Sequence, residues 1–230
     1  MKITEIFNSL EGEGEWQGRR CTFVRLHGCN KDCTYCDEKH EKYTEMTADA
    51  VFKKVWKLGC HRIVITGGEP TLQLEELKTL IWGLWYHRMN STYNHREYVA
   101  KVTERPNDIV VYTNGYDLRG LLRWINDNDL PPAPKPLIYY DIKEDEIEKS
   151  ETIESDVWQR YRWLYRKIVV SDDNFEKFMN LRWPPQIISP MLDGDNKIMI
   201  TPANLRKVFD RYAEFDPRIQ MQQHKILGYK

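Results

Sequence analysis

The sequence predicts an α/β fold of about six parallel strands, either a partial, open (β/α) barrel or a flat, doubly wound sheet. Two observations predict it. Six short apolar, β-branched runs lie at 22–26, 62–66, 109–113, 137–141, 167–171 and 186–189, and buried parallel strands read as near-continuous runs of this kind. Stretches with a helical period fall between them, which implies right-handed βα units.

The helices carry their own punctuation. Thr47 is an N-cap ahead of Val51, Val55 and Leu58, with Gly59 as the stop. Leu74, Leu77, Leu80, Ile81 and Leu84 make the next stripe, and Leu118, Leu121, Leu122 and Ile125 another. Ser171 is expected to cap a helix holding Phe175, Phe178 and Met179. Thr201 followed by Pro202 opens a helix with Leu205, Val208 and Tyr212 inside. Three segments break the alternation: a polar excursion at 86–108, a stiff proline-rich connection at 131–136, and an acidic, solvated stretch at 143–156.

At 230 residues the chain has room for one sizeable core, so a single domain over 1–230 is expected. The formal net charge of -1 argues against nucleic acid or an anionic membrane as the main partner. The first residues lack a basic segment followed by an apolar run, and no apolar stretch reaches membrane-spanning length. A soluble, cytoplasmic protein is expected.

Five cysteines, Cys21, Cys29, Cys33, Cys36 and Cys60, give an odd count with three close together. In a reducing compartment that pattern favours metal over disulfides. Cys21 and Cys60 read as small core side chains. Cys29, Cys33 and Cys36 have the spacing CxxxCxxC. Three thiolates can hold three irons of a [4Fe–4S] cubane and leave one iron open. The same spacing also serves structural zinc, with His27 or His40 as a fourth ligand. The placement after a strand favours the cluster, because α/β folds carry ligands at the carboxyl ends of their strands. Tyr35, inside the run, can pack over a cluster.

CxxxCxxC with an aromatic before the third cysteine, followed by Thr66-Gly67-Gly68-Glu69-Pro70 at the end of a strand, resembles the radical S-adenosylmethionine (SAM) superfamily. The resemblance selects the partial, open barrel. Its GGEP element meets the SAM amino group; glycines allow close backbone approach and a carboxylate suits an ammonium. More narrowly, the chain resembles the 7-carboxy-7-deazaguanine synthases of queuosine biosynthesis, through its first block from EIFNSLEGEGE to CTYCD, then VITGGEPTLQ, YTNG, YYDIK and the tail QMQQHKILG.

The resemblance implies roles residue by residue. Cys29, Cys33 and Cys36 hold the cluster. Tyr35, Cys36, Asp37, Gly68, Glu69, Thr113, Asn114 and Gly115, with Asp141 and Lys143, contact SAM. Leu10, Glu11 and Gly12 hold a pterin, Arg25 pairs with its carboxylate, Thr66 touches it, and His224 and Lys225 close over it. Each also has a plainer reading: Arg25 as a surface ion pair, Glu11 and Glu13 as solvated turn acids, Asp37 as a cap and His224 as a capped tail residue. Two residues depart from the family pattern. Glu11 replaces a glutamine, which both donates and accepts hydrogen bonds. Glu38 replaces a threonine that helps bind Mg2+; a glutamate is itself a hard oxygen ligand.

The implied reaction starts with an external electron donor, such as flavodoxin or ferredoxin. Cleavage of SAM gives a 5′-deoxyadenosyl radical, which takes a hydrogen from C6 of 6-carboxy-5,6,7,8-tetrahydropterin. Ring contraction and loss of ammonia give 7-carboxy-7-deazaguanine. Relatives of this kind are often homodimers. Two rivals stand beside this reading: a glycyl-radical-enzyme activase, which shares CxxxCxxC, and a non-catalytic zinc module.

Overall fold

The computed structural model describes residues 1–33, 35–36, 42–60, 62–90, 109–127, 135–152, 157 and 161–227. The chain divides into two compact units. The first comprises 1–8, 21–31 and 38–137, the second 9–20, 32–37 and 138–230.

In the first unit the strands run in the order β3 (Thr44–Glu45), β1 (Lys2–Leu10), β2 (Arg20–Leu26), β4 (Ile63–Gly67), β5 (Ile109–Thr113). β2, β4 and β5 pair in parallel, Thr22 opposite Ile63 and Ile63 opposite Ile109. β3 adds an antiparallel edge to β1. The helices are α1 (Ala48–Lys57), α2 (Leu74–Asn90) and α3 (Leu118–Asp127). Thr47 caps α1 by accepting from the Ala50 N–H at 3.2 Å, and Gly59 follows with φ +65. Leu77, Leu80, Ile81, Leu121, Leu122 and Ile125 are buried, as their spacing predicts.

In the second unit β6 (Leu137–Ile142), β7 (Leu164–Val170), β8 (Ile187–Pro190) and β9 (Arg218–Ile219) are parallel neighbours. Here belong α4 (Ile147–Glu151), α5 (Pro202–Arg211) and α6 (Gln223–Ile226). Thr201 caps α5 by accepting from the Asn204 N–H, with Pro202 at its first turn. Register pairs face the same side of a sheet, so Asp141 lies beside Lys167 and Tyr139 beside Tyr165.

All six predicted strands are present. Three more were not legible as strands. β1 has no clean alternation and stays half-exposed along most of its length, while β3 and β9 are two residues each and exposed. The helix expected after Ser171 is a 3-10 helix, Phe175–Asn180, preceded by Asn174. The Asn174 side chain accepts from the Ser171 N–H at 2.8 Å, which tightens the entry. The stretch after 142 is not wholly solvated: Glu144–Glu146 is a turn of 3-10 helix, α4 follows, and Glu146 and Ser150 are buried. The excursion at 86–108 begins as the last turn of α2, and 91–108 and 131–134 lie outside the described residues.

Leu121 is fully buried among apolar neighbours of the first unit. Leu121→Ala is expected to cost about 2–5 kcal/mol, read as a lower urea midpoint with an unchanged slope.

Candidate functional site

In the first unit the ends of β2, β4 and β5 are tied by hydrogen bonds. The Gly68 N–H donates to Leu26 O at 2.9 Å and the Glu69 N–H to Gly28 O at 2.7 Å. This zips the glycine turn onto the segment that enters the cysteine run. Gly67 has φ +118, and a Cβ on Gly68 would overlap the Gly28 carbonyl, so both positions require glycine. Gln73 fastens the same segment: its amide donates to the His27 and Lys2 carbonyls, each at 3.1 Å.

Glu69 is fully buried. Its Oε1 accepts from the Thr71 N–H at 2.9 Å, the Thr71 hydroxyl at 2.5 Å and the Thr113 hydroxyl at 2.6 Å; Oε2 accepts from the Asn114 N–H at 2.6 Å. Burial pushes its pKa up, and these four donors offset only part of that rise. Expected to meet a ligand ammonium, Glu69 is held by the protein's own groups. It thereby aligns Thr113, Asn114 and Gly115, whose N–H donates to Thr113 Oγ1 at 2.9 Å. Asn114 in turn reaches Cys29: its amide nitrogen stands 3.7 Å from Sγ, and the Lys31 N–H donates to the same sulfur at 3.4 Å. The Asn30 Oδ1, which accepts from the same Asn114 amide at 2.9 Å, stands 4.0 Å from this sulfur.

Arg25 is bonded to Glu5, Nη1 to Oε1 at 2.5 Å, with its guanidinium over the Phe7 ring. The ion-pair reading of Arg25 is realised in this structure, and a ligand carboxylate would have to share the fork with Glu5 or displace it. Thr66 lies on β4, opposite Arg25 of β2.

The second unit holds the EGEG loop. Gly12 and Gly14 are buried with it, and neither Glu11 nor Glu13 is a solvated turn acid: they are 4% and 5% exposed. The loop leaves Leu10 at the end of β1 and is closed by the C-terminal tail. The Gly14 N–H donates to Gln220 Oε1 at 2.7 Å, the Gln17 amide donates to Met221 O at 2.9 Å, and the Gln223 N–H donates to Gly12 O at 3.3 Å. Gln223 opens α6, which carries His224 and Lys225; the surroundings of those two side chains lie outside the described residues.

Below the loop is a buried charge cluster. Lys167 of β7 donates to Glu13 Oε2 and stands 4.0 Å from Asp141 Oδ2, which accepts from Lys143 at 2.7 Å. Burial pushes the Asp141 carboxyl up, but the ammoniums of Lys143 and Lys167 outweigh it and hold it below the usual range. Both lysines are held protonated against the opposing effect of burial, Lys143 chiefly by Asp141 and Lys167 chiefly by Glu13. Lys143 also lies 5.1 Å over the Tyr35 ring and within electrostatic reach of Cys33. A cation there favours the Cys33 thiolate. Burial pushes the Tyr35 hydroxyl well above its usual value, so it stays neutral. Glu11 Oε2, Glu13 Oε1, Asp141 Oδ1 and Ser189 Oγ are buried with no hydrogen-bond partner among the described residues.

Of the predicted site residues, Asp37 and Glu38 lie outside the described residues. Cys29 belongs to the first unit, Cys33 and Cys36 to the second, and none of the three is in a disulfide. Among the described residues no three His, Cys, Asp or Glu side chains gather as a ready metal site. Sequence reasoning missed Lys167, Gln220 and Gln73. Lys167 had a signal: a lone lysine in the apolar run LYRKIVV, which is costly unless an acid meets it.

Residues 23–130 match the Radical SAM superfamily. The 7-carboxy-7-deazaguanine synthase of Bacteroides thetaiotaomicron is 44% identical over 75 residues, 33% of this chain and 41% of that protein. The one of Koribacter versatilis is 46% identical over 80 residues, 34% of this chain and 35% of that protein. The chain thus matches about two-fifths or less of the length of these curated relatives. Among solved structures, QueE from Escherichia coli aligns with a TM-score of 0.57 at 17% identity, covering 96% of this chain and 92% of that one. That likeness shows the fold: α/β, an open, partial (β/α) barrel of the radical SAM type.

Lys167→Met removes the cation bonded to Glu13 while leaving that acid buried. A loss of about 3–5 kcal/mol is expected, and Lys167→Met/Glu13→Gln should regain part of it, both read by urea denaturation.

Proposed function

We propose that this chain, with its Radical SAM match over residues 23–130, is a single-domain radical SAM lyase over 1–230 that converts 6-carboxy-5,6,7,8-tetrahydropterin to 7-carboxy-7-deazaguanine with loss of ammonia, in queuosine-type biosynthesis. The observation that carries it is the backbone zip of Gly68 and Glu69 onto Leu26 and Gly28, with Asn114 reaching Cys29. It sets the glycine turn against the start of the cysteine run, as a SAM site requires.

Cys29, Cys33 and Cys36 would hold a [4Fe–4S] cluster. Their donor chemistry suits it: three thiols lie in one short run, Cys29 receives two N–H donors, and Cys33 is within electrostatic reach of the Lys143 ammonium. When bound, the cluster and SAM supply an adenosyl carbon radical able to take a hydrogen from the substrate.

The chain's own residues bind and orient. Gly68 and the strand ends Thr113, Asn114 and Gly115 offer backbone groups at close range, and Glu69 fixes their spacing. Asp141 and Lys143, with Tyr35, present charge and a neutral ring on the SAM side. Leu10, Glu11 and Gly12 hold the pterin ring, and Thr66 contacts it. Arg25 takes the substrate carboxylate in exchange for Glu5, since its fork suits a carboxylate. His224 and Lys225 close the pocket and exclude water, while Asp37 supports SAM. Glu38 serves as an oxygen ligand to Mg2+ beside the substrate carboxylate. An external flavodoxin or ferredoxin supplies the electron, the protein works in the cytoplasm, and a homodimer is the assembly. Among the described residues no helix is long and apolar enough to cross a membrane.

The test is to reconstitute the protein without oxygen and supply SAM, a reductant and the carboxypterin. Iron and sulfide in cluster proportion, 5′-deoxyadenosine and 7-carboxy-7-deazaguanine are expected. 5′-Deoxyadenosine without the deazaguanine would refute the substrate. A colourless, zinc-loaded protein from a zinc-free preparation would refute the enzyme. Gly68→Ala should abolish product by breaking the backbone zip.

A further inference from the structure

We infer that Glu11 works as a neutral carboxylic acid, donating a hydrogen bond from Oε2 to a ligand acceptor, so that Glu11 and Glu13 form a donor–acceptor pair matched to a heterocyclic lactam edge. The ligand half of this rests on the pterin reading above; the neutral acid does not.

The geometry comes first. Glu11 is 4% exposed, Oε1 accepts from the Glu13 N–H at 3.2 Å, and Oε2 is buried without a partner among the described residues. An ionised carboxylate would strand a charged oxygen away from water, whereas the protonated acid has one N–H on its carbonyl oxygen and one O–H to give. The charged or titratable groups facing it settle the balance. Glu13 on its own loop opposes a negative charge on Glu11. The Lys167 ammonium from β7 is positive, but it is bonded to Glu13 and lies 4.0 Å from Asp141. Tyr139 of β6 is neutral, its hydroxyl pushed up by burial and accepting from the Glu15 N–H at 2.7 Å. The two ammoniums, Lys143 and Lys167, are already bonded to Asp141 and Glu13, and a third acid charge would outnumber them. Burial first, then Glu13, pushes the Glu11 pKa up to about 8, against the pull of the Glu13 and Gly12 backbone and Lys167.

Glu13 supplies the complement, because its Oε1 is also buried without a partner among the described residues. A donor at Glu11 and an acceptor at Glu13 suit a ring carbonyl next to a ring N–H and an amino group, the edge that a 2-amino-4-oxopyrimidine presents. A side-chain amide at position 11 offers the same donor permanently, which makes Glu11→Gln a fixed copy of the protonated state.

The test uses the whole protein. In infrared spectra, wild type minus Glu11→Gln should show a protonated-carboxyl carbonyl band at neutral pH that fades by half near pH 8; the subtraction removes other buried acids such as Glu69. Stability should follow. A folded pKa above the unfolded 4.5 means wild type loses stability as pH rises from about 4.5 to about 8 and levels off beyond, and Glu11→Gln lacks that slope. In the reconstituted enzyme the ratio of KM for the carboxypterin at pH 9 to that at pH 7 should be about tenfold larger in wild type than in Glu11→Gln. Absence of the band at neutral pH would overturn the inference. A band with equal KM ratios would overturn its ligand half. A band with no deazaguanine formed by wild type would overturn the pterin reading and leave the neutral acid standing.

Discussion

The first unit depends on one buried carboxylate. Removing Glu69 from water is costly unless its oxygens find donors, and Thr71, Thr113 and Asn114 supply three to Oε1 and one to Oε2. The acid therefore dictates where Thr71, Thr113 and Asn114 stand. Through its own N–H it also fixes Gly28, one residue ahead of Cys29. A functional glutamate and a structural staple are here the same side chain: the acid orders the backbone that a ligand would meet.

The second unit treats its acids differently. Glu13 and Asp141 share the ammoniums of Lys167 and Lys143, yet each keeps one buried oxygen without a partner among the described residues, as do Glu11 and Ser189. Buried polar atoms are almost always satisfied, and exceptions need a reason. Register pairing places Asp141 and Lys167 on one face of the sheet, with Tyr139 one pleat away. Unsatisfied oxygens on a shared face suit a polar ligand better than a packed core.

Much of the fold was legible because β2, β4, β5, β6, β7 and β8 are apolar runs whose burial is decided locally. β1 was not, because its side chains are half-exposed on both faces and leave no period to detect. The 3-10 helix at Phe175–Asn180 has the apolar spacing of a helix; Asn174 closing back on Ser171 makes it tighter. The cysteines and the glycine turn were legible because their chemistry is confined to a few adjacent residues. The burial of Glu11 and Glu13 was not, since it depends on Lys167 and Gln220, far away in the chain. Arg25 shows the converse: its type suits a ligand carboxylate, but Glu5, on the neighbouring strand, already meets it.

The tie between Gly14 and Gln220 spans 206 residues. During synthesis the EGEG loop emerges well before Gln220, the side chain that closes on it. Loop closure over such a span is slow and entropically costly. The Gly14 N–H therefore waits for its Gln220 partner until 206 further residues have been made. A protease that nicked the tail after residue 219 would undo the same contact from the other side. The seating of Gln220 thus serves as a check on whether the distant loop at 11–14 is correctly set.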